Sequence, residues 1–166
     1  MGEAKMENYM IRLAQTEDTT RLTEIALSAK ASWGYSESFM AACEVELTVT
    51  PDMLATHKVW VGQIGDIIGG MIALGPRQTG GISQLEHFFV EPHFQKRGIG
   101  RSLFETLIAE CRAQAVTRLE LDADPYAEPI YQRLGFSTIG KVASKSIPER
   151  VLPRMALVLV QTQLTM

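Results

Sequence analysis

Apolar and polar positions along this chain follow two periods, near 3.6 and near 2, and the switches between them mark out the elements. Residues 9–13 (YMIRL) form a short strand pattern. Thr16, Glu17 and Asp18 then offer capping chemistry for a helix over 19–30, with Leu22, Ile25, Ala26 and Ala29 on one face. The segment ASWGYSES breaks that pattern, residues 36–47 read as a second helix, and Pro51 marks a loop. Residues 59–64 and 67–74 are strands joined by Gly65-Asp66, a pair suited to a hairpin, and Gly69-Gly70 predicts a bulge in the second. After GPRQTGG, residues 82–90 form a strand that Pro92 ends. Leu103, Phe104, Leu107, Ile108 and Cys111 recur at helical spacing over 100–115. A strand over 118–122, a short helix over 127–134 and strands over 136–141 and 154–160 complete the chain. No repeat, low-complexity tract or linker divides it, so residues 1–166 read as one domain. The order β-α-α-β-β-β-α-β-α-β-β predicts an α/β (α+β) fold, a mixed sheet covered by helices.

Composition narrows the class. A chain of 166 residues with 46% hydrophobic and 21% charged residues is ordinary for a globular domain with a real core. A net charge of −3 argues against a broad basic surface for nucleic acid, though not against a local phosphate site. Cys43 and Cys111 are far apart and show no zinc-type spacing, so no metal is expected and both thiols read as free and buried. MGEAKMENYM lacks the apolar run of a signal peptide and no stretch reaches membrane-span length, which predicts a cytoplasmic protein with no membrane contact.

The segment FQKRGIGRSLF carries the candidate chemistry. Gly98 and Gly100 flank Ile99 at a helix start, with Lys96, Arg97 and Arg101 around them. Glycine admits close backbone approach, and a helix N-terminus presents unpaired N–H groups to an anion. A tight turn with solvated cations fits these residues equally well. The P-loop spacing is absent, and the dinucleotide fingerprint fails because its third glycine position holds Leu103. The stretch Gln95-Lys96-Arg97-Gly98-Ile99-Gly100 instead resembles the Gln/Arg-x-x-Gly-x-Gly/Ala signature of the GNAT N-acetyltransferase superfamily. FFVEP before it resembles that family's strand ending, and DPYAEPIYQRLGF resembles its second signature, which ends in Tyr-x-x-x-Gly-Phe.

The resemblance implies a GNAT-like, mostly antiparallel central sheet flanked by helices, with an acyl-CoA cleft between splayed central strands. It implies acetyl-CoA as co-substrate, its pyrophosphate over the backbone of Gln95, Lys96, Arg97, Gly98, Ile99, Gly100 and Arg101, with Ser102 completing the segment. Phe89 and Val90 match the strand edge that pairs with the pantetheine arm, and an N–H near Phe88 the donor to the thioester carbonyl. Tyr131 matches the tyrosine that protonates the departing thiolate; packing in the core is its other reading. Asp124 and Tyr126 fall in the cofactor-binding segment. Asp124 stands where the family usually has Asn, and a carboxylate there suits capping of the next helix better than phosphate contact.

The implied reaction is attack of a neutral amine on the thioester, and an alkyl amine with a pKa of roughly 10 needs a base. Glu86 and His87 interrupt an otherwise apolar strand and are the candidates; only one faces the cleft unless a bulge intervenes. A salt bridge for Glu86 and a hydrogen-bonded ring for His87 are the structural alternatives. Gln84, Trp33 and Tyr35, with Phe39, are candidates for the acceptor pocket, and His57 is a more remote one. Arg150 or Arg154 could meet a substrate carboxylate. The acceptor is a small-molecule or peptide amine, and a non-catalytic acyl-CoA-binding regulatory module is the alternative function. The long apolar closing stretch RMALVLVQTQL predicts an exposed sheet edge and hence a homodimer.

Overall fold

Glycine placement explains much of how the first half of the sheet is built. Residues 9–159 are described in a computed structural model, and their seven strands form one sheet in the order β1-β2-β3-β4-β5-β7-β6. β1 (Met10–Leu13), β2 (Lys58–Ile64), β3 (Ile67–Leu74) and β4 (Ile82–Val90) pair antiparallel in sequence order. On β3, Gly69 is the extra residue of a bulge opposite Gly62-Gln63, as the Gly69-Gly70 pair predicts. A Cβ at Gly69 would meet the Phe94 ring at 2.7 Å, so the missing side chain lets Phe94 seat the segment after β4 directly on β3.

β5 (Arg118–Asp122) joins β4 in parallel, and β7 (Val151–Val158) lies between β5 and β6 (Ser137–Ala143), antiparallel to both. This corrects the edge argument for a homodimer. The closing strand is paired on both sides, and the edges are β1 and β6; the end of that stretch, residues 160–166, lies outside the described residues.

Helices cover both faces. α1 (Thr19–Ala31) buries Leu22, Ile25, Ala26 and Ala29, the face its spacing predicts. α2 (Glu37–Leu47) starts at Ser36, whose hydroxyl accepts from Phe39 N–H. Opposite them, α4 (Ile99–Ala113) buries Ile99, Leu103, Leu107 and Cys111 against the sheet, each large side chain contributing about 1.5–3 kcal/mol. The loop expected at Pro51 is instead a short helix, α3 (Pro51–Thr56). Thr50 caps it through a hydroxyl that accepts from Met53 N–H, and Pro51 takes the first helical position, where no N–H is needed. α5 (Glu128–Arg133) precedes β6. Among the described residues no helix is long and apolar enough to cross a membrane, and no group of three His, Cys, Asp or Glu could hold a metal ion.

Candidate active site

The parallel pairing of β4 with β5 stops early. It holds Ile82, Ser83 and Gln84 against Arg118, Leu119 and Glu120, and beyond Gln84 the strands separate. The gap opens into a cleft of about 1570 Å³ that reaches from Glu46 and His57 to Gly98 and Tyr131. Glu91 N–H donates to Gly69 O at 2.8 Å, so by antiparallel alternation Phe89 also bonds β3, while Phe88 and Val90 turn their backbone groups to the gap. The Val90 carbonyl is met by the Gln95 side-chain amide at 3.1 Å, which ties the loop to the strand.

At one end of this edge α4 begins. Gly98 is its N-cap with φ +91°, a left-handed conformation open to glycine at little cost. No side chain caps the helix and no acidic residue stands in its first turn. Ser102 N–H donates to Gly98 O at 3.0 Å, leaving the N–H groups of Ile99, Gly100 and Arg101 without an acceptor among the described residues. Lys96 (φ +63°) is exposed and lines the cleft, the Arg97 guanidinium lies 5.5 Å from the Phe94 ring centre, and Arg101 pairs with Glu105 at 3.2 Å on the surface. Uncapped donors with cations around them fit an anionic diphosphate.

A bulge sets the other end. Met71 pairs with Phe89 and Ala73 with Glu86, so β4 carries one residue more than β3 across this stretch. His87 absorbs it with φ +48°. The strand's sides are thereby rephased: Leu85, Phe88 and Val90 pack into the α4-side core, and Phe89 packs on the α1–α2 side. Glu86 and His87 both line the cleft.

Glu86 Oε2 sits 2.5 Å from His57 Nε2, and the other ring nitrogen of His57, Nδ1, lies 2.7 Å from Thr56 Oγ1. His57, the remote candidate in the sequence, thus comes from the C-terminus of α3 to become the direct partner of Glu86. His87 stands edge-on to Phe89, and its buried Nε2 has no hydrogen-bond partner among the described residues. Burial pushes its pKa down, against the carboxylates of Glu86 and Glu46 and the Glu46 backbone. The unfolded imidazole takes up its proton near 6.5 and the native one only at lower pH, so stability is complete above 6.5 and falls as pH drops below it. Asn tolerates a left-handed backbone but does not titrate. Wild type should therefore lose more melting temperature between about pH 7.5 and 5.5 than His87→Asn, as paired thermal melts would record.

Tyr131 projects from α5 between Phe88 (6.4 Å between ring centres) and Phe136 (5.6 Å), half-buried. Its hydroxyl has no partner among the described residues, and burial, then the charge of Asp124, raise its pKa, so it keeps its proton at neutral pH. Phe88 also faces Phe104, which lines the cleft.

Asp124 caps the turn after β5 by accepting from Tyr126 N–H at 2.9 Å. Its carboxylate also receives Lys30 Nζ at 2.5 Å, the Tyr35 hydroxyl at 2.8 Å and Arg150 at 3.4 Å. Burial raises its pKa, but the hydrogen bonds from Lys30 and Tyr126 outweigh this and hold it below the usual carboxylate range. Tyr35 therefore packs in this network, stacked on Phe39 at 3.9 Å. The Tyr126 ring stacks on Trp33 at 5.5 Å and is not among the residues that line the cleft. Trp33 and Gln84 line the cleft, and Arg154 is held by Asp122 at 2.9 Å. Spacing alone did not bring Lys30 and Tyr35 together with Asp124 and Arg150, because they come from three separate stretches.

Known proteins resemble this architecture and sequence. A family model described as an acetyltransferase (GNAT) domain matches residues 29–146. YafP of Escherichia coli (strain K12), named as an uncharacterized N-acetyltransferase, is 30% identical over 142 residues, covering 81% of this chain and 85% of that protein. A GCN5-related N-acetyltransferase of Rhodopseudomonas palustris superposes with a TM-score of 0.78 at 17% identity, over 95% of this chain and 100% of that one. The PaiA N-acetyltransferase of Thermoplasma acidophilum, solved in complex with coenzyme A, superposes with a TM-score of 0.75 at 16% identity, over 92% and 99% of the two chains.

Proposed function

The chain belongs to the GNAT acetyltransferase family, and we propose that it moves an acetyl group from acetyl-CoA to a primary amine of a small molecule or exposed protein site by direct attack in a ternary complex. One observation carries the catalytic reading over a non-catalytic acyl-CoA-binding module: in the open half of β4, Glu86 is held against His57 at 2.5 Å inside the cleft. A sensor would have no use for a half-exposed carboxylate fixed there.

Acetyl-CoA supplies a thioester carbonyl that an amine can attack. The uncapped first turn of α4, with Lys96, Arg97 and Arg101, binds the diphosphate. The backbone of Phe88 and Val90 orients the arm along the strand edge, with an N–H there directed at the thioester oxygen. Glu86 accepts the proton of the attacking amine, directly or through one water. His87, whose burial disfavours the imidazolium, stays neutral beside Glu86. Tyr131 gives its hydroxyl proton to the departing sulfur.

Glu86→Gln keeps the side chain's shape and removes the base. Turnover should fall by roughly 10²-fold or more while acetyl-CoA affinity holds, measured by thiol release over a panel of amines and peptides. Full turnover in that variant would sink the assignment of Glu86.

A further inference from the structure

Tyr9 stands just before β1, with its ring packed against the core cluster that holds Ile99. Its hydroxyl donates to the backbone carbonyl of Arg97, 88 residues further along, in the loop that leads into α4. The same ring lies beside Gly98, where a Cβ would meet Tyr9 Cε2 at 3.9 Å. The Arg97–Gly98 peptide bond is trans and planar, so the Arg97 carbonyl and the Gly98 N–H point in opposite directions. With the carbonyl held on Tyr9, that N–H is turned away from the ring and finds no acceptor among the described residues. Gly98 lines the cleft, and Tyr9 does not. A helix continued one residue backwards would instead send the Arg97 carbonyl along its axis to Arg101 N–H. Gly98, at φ +91° and ψ −4°, is outside the helical region and turns the carbonyl aside. Glycine adopts either conformation at little cost, so its own backbone does not decide between them. The hydrogen bond from Tyr9 does.

We infer that Tyr9 is a positioning residue for coenzyme A: by holding the Arg97 carbonyl it keeps the N–H groups of Gly98 and Arg101 open to the diphosphate. It acts on the loop and does not touch the ligand. The inference rests on the first turn of α4 being the diphosphate cradle. Without the hydroxyl, the Arg97–Gly98 peptide is free to turn, its carbonyl can take Arg101 N–H, and Gly98 N–H leaves its place. Only the fraction of molecules with the peptide in its present orientation then binds with full strength, and the apparent affinity falls in proportion to that fraction.

Titration calorimetry of Tyr9→Phe with coenzyme A, beside a thermal melt, tests this. The ring and its packing stay, so the melting temperature should fall by a few degrees at most. The dissociation constant should rise roughly three- to tenfold, the worth of one net hydrogen bond. The same rise is expected with 3′-phosphoadenosine 5′-diphosphate, which keeps the diphosphate and lacks the pantetheine arm. Gly98→Ala disfavours the left-handed conformation by itself, so adding Tyr9→Phe to it should weaken binding by less than Tyr9→Phe does alone. Unchanged coenzyme A affinity in folded Tyr9→Phe, a loss absent with the ligand that lacks the arm, or strictly additive losses in the double variant would each overturn the role of Tyr9. Gly100→Asp tells the two readings apart. If that variant binds coenzyme A normally, the cradle fails and the inference with it; if it loses binding while Tyr9→Phe does not, the inference alone fails.

Discussion

Gly100→Asp should fold at least as well as wild type and lose nearly all affinity for coenzyme A. Gly100 is the second residue of α4, and a Cβ there would meet Val90 Cγ2 at 3.4 Å and the Phe88 ring at 3.7 Å, ordinary contacts that displace nothing. A carboxylate in the first turn of a helix also interacts favourably with the N-terminal dipole, by about 0.3–1 kcal/mol. The same charge is aimed where a diphosphate must lie. Two unit charges about 4 Å apart at an effective dielectric of about 20 repel by about 4 kcal/mol, a factor of about 10³ in affinity. Titration calorimetry with coenzyme A, beside a thermal melt, reads both effects, and Gly100→Ala separates volume from charge. Unchanged affinity in a well-folded Gly100→Asp protein would remove the first turn of α4 as the diphosphate cradle.

The second large effect is structural. Asp124→Ala leaves Lys30 and Arg150, with side chains 14% and 16% exposed, facing each other without their shared anion, and leaves the Tyr35 hydroxyl without its acceptor. Breaking a buried pair from one side costs about 3–5 kcal/mol, a large part of the roughly 5–15 kcal/mol that holds a domain of this kind together. Chemical denaturation should show a loss in that range. Asp124→Asn, which restores the residue usual at this place in the resembling signature, keeps an oxygen for Tyr126 N–H and should cost distinctly less. Equal losses in the two variants would mean that the lost charge carries the whole effect and that the oxygen kept for Tyr126 N–H contributes nothing. Because the native carboxyl titrates below its ordinary 3.8, this stabilisation is complete above that value and is lost only as pH falls beneath it, well apart from the His87 window.

Elements whose local pattern and tertiary role agree were legible to the residue. β3, β4 and β5 coincide with the apolar runs, and the buried face of α1 is the one its spacing marks. Where a single residue has two meanings, the reading failed. Pro51 by itself reads as a loop, yet Thr50 before it makes the pair a helix start. Pro153 hid the first residues of β7, because proline lacks a ladder donor; it sits where β5 is ending, and its carbonyl still accepts from Ala123 N–H at 2.9 Å. Strand order is a global property, so nothing local revealed that β7 slots between β5 and β6. In the site, the chemistry-bearing residues of β4 and of the Gly98–Gly100 stretch could be named from their types and spacing. The pairing of Glu86 with His57 could not, since it depends on α3, which the sequence reading lacked.

The extra residue at His87 gives β4 a joint where chain length and side-chain facing are uncoupled. Upstream of it β4 keeps phase with β5, and downstream the phase is reset, so that Phe88 and Val90 belong to one wall and Glu86 and Phe89 to the other. Deleting any one residue between Leu85 and Phe89 would restore strict alternation across the joint. With the pairs on either side kept, Leu85 and Val90 would stay on their present wall and Phe89 on the other, and the left-handed turn at position 87 would be gone. A one-residue deletion at this joint would thus remove the kink without exchanging the walls, whereas the same deletion elsewhere along β4 would shift its register and swap them.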